Sequence, residues 1–381
     1  MPTSRKSASQ LLDELEKKRR TVKPSDDHLI FREIFGWLGT SGPILADEEG
    51  LHELRDDLNA LGEHVHFDFV KSNAKTALVA ERNDKAYIAM TTGFSWLLMR
   101  LFGTLLSDPK FSPKIGDPEK IPAEFFEWQL KLFRDDPFIK AIALPSCKKR
   151  SDVILGLISC AHTFLFFHEY SHFLLRHLEY LESNGALSVI DESDPTDGRQ
   201  ALSEILQIME LEADRTAILT SLRYWRSIPE SEHFDESFGI SGDEVWLLAV
   251  ETVMVLFEHL SKENKLVEGL THPPALDRWA QLKWIAHFAA EESDVSNIPM
   301  NKRNLNFAQT VNDFLKRNEV SEHSADYSAD VVTKLVTESL PRAPEVMNQY
   351  ISEISKIQTR FWDKNGVSPP THWERAYFER E

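Results

Sequence analysis

The stretch VILGLISCAHTFLFFHEYSHFLLRHLEY, residues 153–180, decides how this chain folds. It contains no proline and one early glycine, and its apolar residues recur at the spacing of an α-helix. This pattern predicts one long, mostly buried helix from Val153 to Tyr180. Tyr170, Ser171 and Phe173 are uncharged, as expected where a helix is packed inside a protein core.

The pentapeptide His168-Glu169-Tyr170-Ser171-His172 lies within this predicted helix. Residues four positions apart share a helix face, so the two histidines can bind one Zn²⁺ ion. Glu169 lies about 100° around the axis from His168 and can act as a general base toward water on the metal. The motif is typical of zinc peptidases. The alternative is a core helix whose histidines bond to neighbouring side chains.

A second helix, predicted from about residue 199 to residue 225, carries a candidate third ligand. Glu210 and Asp214 share one face of it, whereas Glu212 lies about 200° round and should point away. Glu210 would complete a site of two histidines and one carboxylate, with a position left open for water. Asp214 could hydrogen-bond the far nitrogen of a ligand histidine and fix its orientation. The alternative is that these acids form a solvated helix face.

The segment THPPALDR, residues 271–278, places a histidine before two prolines. His272 therefore cannot lie inside a helix, and the prolines hold it in an extended entry to the helix that carries Arg278. A rigid His272, with Arg278 one turn later, could donate to a developing oxyanion or brace a metal-bound carboxylate. In isolation the segment would be only a helix N-terminus.

Apolar stretches in the first quarter of the chain predict strands. The sequence alternates from Glu63 (EHVHFDFV), and apolar runs at 76–80 and 85–91 are separated by four polar residues. This spacing predicts a β-hairpin or meander. Helices are expected after Gly93 and from Asp243 to His259, where one side is apolar. The predicted fold class is α+β, mainly α-helical, with a small antiparallel sheet and long metal-binding helices.

The composition favours a soluble, intracellular protein. The net charge of -18 argues against a nucleic acid or an anionic membrane as partner, because both require basic protein surface. Only Cys147 and Cys160 occur, which excludes a disulfide framework and a cysteine-based zinc site and indicates a reducing, cytoplasmic compartment. The N-terminus has no apolar signal-peptide core, and no apolar stretch is expected to span a bilayer. The oligomeric state stays open.

Four elements occur in an order found in a known family. They are an apolar strand that runs into Thr-Gly (87–93), HExxH (168–172), ExxAD followed by Arg (210–215) and HPPxxxR (272–278). This combination resembles the gluzincin metallopeptidases that include the CAAX prenyl endopeptidases and the related heat-shock membrane protease. It is also similar to the family of the soluble phage-exclusion metallopeptidase Lit. The resemblance covers roughly residues 75–285.

The resemblance implies a role for each residue of these motifs. One Zn²⁺ ion per chain would be bound by His168, His172 and Glu210. The other implied roles are general base for Glu169, orientation of a ligand for Asp214, and transition-state support for His272.

The resemblance also implies that Lys85–Thr91 is an edge strand. An extended substrate peptide would then add to this strand through main-chain hydrogen bonds along Tyr87, Ile88, Ala89 and Met90. The expected substrate is thus an unfolded or loop segment of a protein.

Three regions are predicted along the chain. Residues 1–27 form a charged arm, residues 28–295 a zincin-like metallopeptidase domain, and residues 296–381 a C-terminal helical segment. The central domain contains an insertion at about 107–150. The chain departs from the prenyl endopeptidases because it lacks their transmembrane helices, so their membrane substrates do not carry over.

Two other classes of function fit parts of the sequence. The first is a zinc-binding regulatory or latent protein of a bacterial stress or anti-phage system, without general proteolytic activity. The intact Glu169 argues against it, since a purely structural site needs no base. The second is a DNA-linked regulator, against which the net charge of -18 and the absence of a basic stripe both argue.

Overall fold

The computed structural model describes a set of segments that includes the predicted metal helices. These segments are residues 26–36, 40–41, 49–61, 64–72, 74, 76–107, 115–117, 145, 147–183, 189–191, 200–232, 234, 238–263, 278, 352, 354–357 and 359.

Within these segments the chain alternates between helices and short strands. The helices are α1 (Asp26–Phe35), α2 (Glu49–Asn59), α3 (Thr92–Ser107), α4 (Lys148–Leu174), α5 (His177–Ser183), α6 (Gln200–Ser227), α7 (Pro229–Glu232) and α8 (Gly242–Glu263). The strands are β1 (Thr40–Ser41), β2 (Val65–Lys71), β3 (Ala77–Arg82), β4 (Lys85–Thr91) and β5 (Val189–Asp191). The predicted α+β, mainly helical class is confirmed.

The strands form one sheet in the order β1-β2-β4-β3-β5. β3 and β4 are an antiparallel hairpin, as predicted, and its turn uses Asn83 and Asp84, both at φ 58°. Asn and Asp tolerate this left-handed backbone better than most residues, which suits a tight hairpin turn. β2, however, runs parallel to β4. The small sheet is therefore mixed, with antiparallel pairings as predicted and one parallel pairing that the prediction did not include.

The prediction that β4 is an edge strand is also wrong. Its residues Ala86–Thr91 pair with β2, and Lys85–Met90 pair with β3 on the other side. The main chain of Tyr87, Ile88, Ala89 and Met90 is thus already used by two neighbours, so no substrate strand can add there. The cause is the return of β2 alongside β4, a long-range pairing that local alternation does not specify.

Both faces of the sheet are buried. Alternate residues such as Phe67, Val79 and Ile88 face a large core shared with the helices, whereas Leu78 and Tyr87 face a small cluster under α1. α4 packs against the sheet, α3, α6 and α8, so it is the central helix of the described region.

α4 begins five residues earlier than the apolar pattern predicts, at Lys148. The early turns are charged, but Arg150 is only 1% exposed and donates to the carbonyls of Ile115 and Leu106 at 2.9 and 2.6 Å. These bonds hold the first turns in place, and apolar periodicity cannot reveal them.

α4 also ends earlier than predicted, at Leu174 rather than Tyr180. Arg176 adopts φ 62°, which breaks the helix, and α5 starts at the next residue. The guanidinium of Arg176 forms ion pairs with Glu81 at 2.9 Å and with Glu179 at 2.7 Å. A single long helix is therefore replaced by two helices joined at a fixed bend.

By length and composition α4 is apolar enough to cross a membrane, and it is the one such helix among the described residues. In the fold, 78% of its most apolar window is buried inside the protein. A mostly buried core helix passes the same test of length and composition.

Candidate metal centre

Two helices bring the candidate ligands together. His168 and His172 lie one turn apart on α4, and Glu210 lies on α6, which packs against α4. Glu210 shares a buried stripe of α6 with Ala213 and Ala217, whose small side chains let the two helices approach closely. The predicted ligand set therefore meets in space, although its members come from separate helices.

The separations between the ligand atoms fit a metal ion. The Nε2 atoms of the two histidines are 3.2 Å apart, and the Glu210 carboxylate lies 3.2 Å from His168 Nε2 and 3.4 Å from His172 Nε2. Donor atoms around a tetrahedral ion with bonds of about 2.0–2.1 Å lie about 3.3 Å apart. The group could thus hold a metal ion.

All three residues are removed from solvent. His168 and His172 are 0% exposed and Glu210 is 2% exposed. Buried ionisable side chains are costly unless they pair with one another or coordinate a metal. An ion between them would offset that cost, so the burial of the cluster agrees with its geometry.

Glu169, the predicted base, is 0% exposed on the same turn of α4. It lies next to His168 in sequence, and a helix places it about 100° around the axis. A carboxylate in such a water-poor site interacts strongly with nearby charges and protons. Its catalytic role stays a prediction.

The far nitrogen of His168 meets a carboxylate, as the sequence predicts for Asp214. Nδ1 of His168 lies 2.9 Å from Asp214 Oδ1. Arg278 donates two hydrogen bonds to the same carboxylate, one from Nε at 2.6 Å and one from Nη2 at 2.8 Å. Its guanidinium also lies 5.2 Å from the ring centre of Phe257. The predicted bracing by Arg278 is therefore found at Asp214, not at the candidate ligand Glu210.

Asp214 is fully buried, and its pKa reflects two opposing effects. Burial disfavours the ionised carboxyl, but the charge of Arg278 and the hydrogen bond with His168 outweigh it and hold the pKa of Asp214 below its usual value. The carboxylate thus stays ionised and accepts the Nδ1 proton of His168. That leaves Nε2 of His168 unprotonated and directed at the ligand cluster.

Sequence reasoning missed the support of His172. Its Nδ1 lies 2.9 Å from Nδ1 of His177, and Nε2 of His177 lies 3.2 Å from a carboxylate oxygen of Glu212. Glu212 is not one of the three clustered ligands, but it reaches that cluster indirectly through His177. The signal in the sequence was His177, five residues after the last histidine of HExxH. In a continuous helix, however, its side chain would point away from His172.

The remaining predicted site residues lie apart or outside the described segments. His272 is outside them, as are most of the 107–150 insertion and most of the C-terminal segment. Tyr87, Ile88, Ala89 and Met90 lie on the interior strand β4. Cys147 and Cys160 are both buried, and neither forms a disulfide bond.

Comparison with known proteins finds a match to the model of one peptidase family. The family model described as Peptidase U49 matches residues 108–297. That span contains HExxH, the Glu210–Asp214 segment and the His272–Arg278 segment, and the match supports a peptidase family and a protease function. No curated protein and no solved structure matches the chain.

Proposed function

We propose that this protein is a zinc-dependent endopeptidase of the gluzincin type that hydrolyses peptide bonds of an intracellular protein. The observation that carries the proposal is the cluster of His168, His172 and Glu210, whose donor atoms are 3.2–3.4 Å apart. The match to a peptidase family supports the same reaction class.

Zinc is the metal that suits this donor set. Two imidazole nitrogens and one carboxylate from the protein, with one position left for water, are the usual ligands of a catalytic zinc in a peptidase. A structural zinc site would have four protein ligands, frequently cysteines. Both cysteines of this chain are buried outside the cluster as free thiols.

The mechanism assigns one proton pathway to the chain. When bound, zinc would polarise the scissile carbonyl and lower the pKa of a water molecule. Glu169 accepts the proton of that water and later gives it to the leaving amine. Asp214 holds His168 with Nε2 directed at the metal position, and His272 is the proposed donor to the oxyanion.

The decisive experiment separates metal binding from hydrolysis. Glu169→Gln should keep about one equivalent of zinc, measured by elemental analysis, because the three ligands are unchanged. Cleavage of casein, and of host-lysate proteins followed by mapping of new N-termini, should fall at least about 1,000-fold, since the proton acceptor is lost. If the wild type binds zinc but generates no N-termini that depend on Glu169, the endopeptidase proposal is wrong.

The burial of the site favours a second candidate, a latent or regulatory zinc protein of a bacterial stress or anti-phage system. His168, Glu169 and His172 are all 0% exposed, which agrees with a site that admits a peptide only after part of the chain moves. The two candidates predict different activities in lysates. A latent enzyme would cleave proteins in lysate from stressed or phage-infected host cells and not casein alone, whereas a regulator would cleave neither.

The proposed setting follows from charge and composition. The substrate is a protein or peptide, and the net charge of -18 disfavours a nucleic acid or an anionic membrane as partner. The proposed compartment is the cytoplasm, since two cysteines provide no disulfide framework.

A further inference from the structure

We propose that His177 and Glu212 form a positioning pair that holds the candidate ligand His172 in its metal-binding orientation. The inference rests on the proposed metal site, but it concerns residues outside the ligand cluster. Neither residue belongs to the HExxH motif or to the Glu210–Asp214 face of α6 that the sequence singles out.

The hydrogen bonds allow one consistent arrangement of protons. With Nε2 of His172 facing the metal position, its Nδ1 carries the proton and donates to Nδ1 of His177 across 2.9 Å. Nδ1 of His177 must then be an acceptor, so the proton of that ring is on Nε2. Nε2 in turn donates to Glu212 across 3.2 Å. A carboxylate thereby fixes the tautomers of two successive rings.

The bend between α4 and α5 makes this contact possible. In a continuous helix, residue 177 would lie about 140° around the axis from residue 172 and could not face it. The left-handed conformation of Arg176, φ 62°, turns the chain back so that His177 meets His172. The ion pairs of Arg176 with Glu81 and Glu179 fasten the bend to β3 and α5.

The surroundings keep the pair in place. His177 is 0% exposed and Glu212 is 9% exposed, so both hydrogen bonds of the pair are shielded from water. The ring centres of His172 and His177 are 5.0 Å apart in an edge-to-face arrangement, which restricts rotation of both rings. His177 therefore acts on the metal position only through His172, as a positioning residue.

The test uses two variants that each keep half of the His177 contacts. In His177→Asn the amide oxygen lies near the former Nδ1 position and can still accept the proton of His172, but the side chain no longer reaches Glu212. In His177→Gln the terminal amide lies near the former Nε2 position, so the bond to Glu212 survives and the acceptor for His172 is lost. His177→Phe removes both contacts at similar volume.

The readout is the apparent zinc dissociation constant of the full-length protein, measured by competition with a chromophoric chelator. Loss of an outer partner of a ligand histidine weakens metal binding about 10–100-fold. We expect that loss for His177→Gln and His177→Phe, and a loss several-fold smaller for His177→Asn and for Glu212→Gln. The absorption of the Co²⁺-loaded protein should change in the same order, since it reports ligand geometry.

The control is His162→Phe on the same helix. His162 is fully buried and bonds Ser95 and the Ile158 carbonyl, away from the cluster. This variant should lower the melting temperature and leave zinc affinity within about two-fold of the wild type. If His177 is a positioning residue, zinc affinity should fall only in the variants that lack a hydrogen-bond acceptor for His172 at position 177. If its role is purely structural, zinc affinity should fall in proportion to the loss in melting temperature.

The possible results separate the two proposals. If the wild type binds no zinc, the proposed function and this inference both fall. A second possible result is that the wild type binds zinc while His177→Gln and His177→Phe fold and have zinc dissociation constants within about two-fold of the wild-type value. In that case only the positioning role is wrong. Equal losses in the Asn and Gln variants would also overturn it. If the three His177 variants do not fold, Glu212→Gln decides, because an unchanged affinity there would refute the pair.

Discussion

The two candidate histidine ligands are supported in opposite ways. His168 is held by Asp214, whose charge is balanced by Arg278, a residue 64 positions further along the chain. His172 is bonded to His177, five residues away, and His177 is bonded in turn to Glu212. The first support is a fully buried ion pair, and the second is a hydrogen-bonded chain that ends at a carboxylate with 9% exposure.

Because the two supports differ in charge and burial, their loss should affect stability and metal binding to different extents. Removing one member of a buried ion pair leaves the other charge uncompensated, so the Asp214 support should matter to folding as well as to the metal. Removing His177 leaves the Glu212 carboxylate without one hydrogen-bond donor, but Glu212 keeps 9% exposure whereas Asp214 has none, so the His177 support should matter less to stability than the Asp214 support. The following experiments, in decreasing order of expected effect, test this contrast.

Asp214→Asn should have the largest effect, a loss of about 3–5 kcal/mol in the free energy of unfolding, because Arg278 is left buried without its counter-charge. Denaturant titration of the metal-free protein measures it. In the double variant Asp214→Asn, Arg278→Met the loss should be smaller than in the single variant. A loss below about 1 kcal/mol in Asp214→Asn would mean that the ion pair is not a major support.

Metal removal should come next. Zinc at 100-fold excess over its dissociation constant should stabilise the wild type by about 3 kcal/mol, and a chelator should remove that stabilisation. Glu210→Ala should unfold at the same denaturant concentration with and without chelator, since a ligand is missing. An equal response to chelator in both proteins would place the metal elsewhere.

A third histidine of α4 gives a pH-dependent comparison. Burial lowers the pKa of His162 to about 4, although the bond to the Ile158 carbonyl opposes this. His162 is neutral in the folded chain and titrates near 6.5 when unfolded, so stability is complete above pH 6.5 and falls as the pH drops toward 4.

Between pH 7 and pH 5 this single group should cost about 2 kcal/mol. The measurement is the difference in unfolding free energy between those pH values in metal-free protein. His162→Phe should show a pH-dependent loss smaller by that amount. If both proteins lose stability equally, His162 is not the neutral buried group described here.

Glu212→Gln should have the smallest effect on stability, about 1 kcal/mol or less, because the amide oxygen can still accept from His177 and only one hydrogen bond is weakened. Thermal unfolding of the metal-free protein measures it, with Asp214→Asn compared in parallel. A loss as large as that of Asp214→Asn would erase the contrast between the two supports.

Local patterns predicted the elements that the site needs. α6 spans Gln200–Ser227 against a predicted 199–225, and α8 and the β3–β4 hairpin also agree with prediction. The i, i+4 spacing of His168 and His172 is a property of the helix itself, so their common face could be read directly from the sequence. The same geometry placed Glu210 and Asp214 on one side of α6.

Long-range pairing decided the features that prediction missed. β4 became an interior strand because β2 pairs parallel to it, and alternation within a strand does not specify its neighbours. The end of α4 was missed because Arg176 takes a left-handed conformation that its ion pairs with Glu81 and Glu179 fasten. Neither strand order nor that bend follows from apolar periodicity.

Spacing within single helices was enough to identify the His168–His172 pair, Glu169 beside it, and the Glu210–Asp214 pair on the second helix. The hydrogen bonds that orient the two histidines depend on tertiary contacts. The tertiary structure brought Arg278 to Asp214 and turned His177 back onto His172, since both contacts depend on how distant segments and a broken helix pack together.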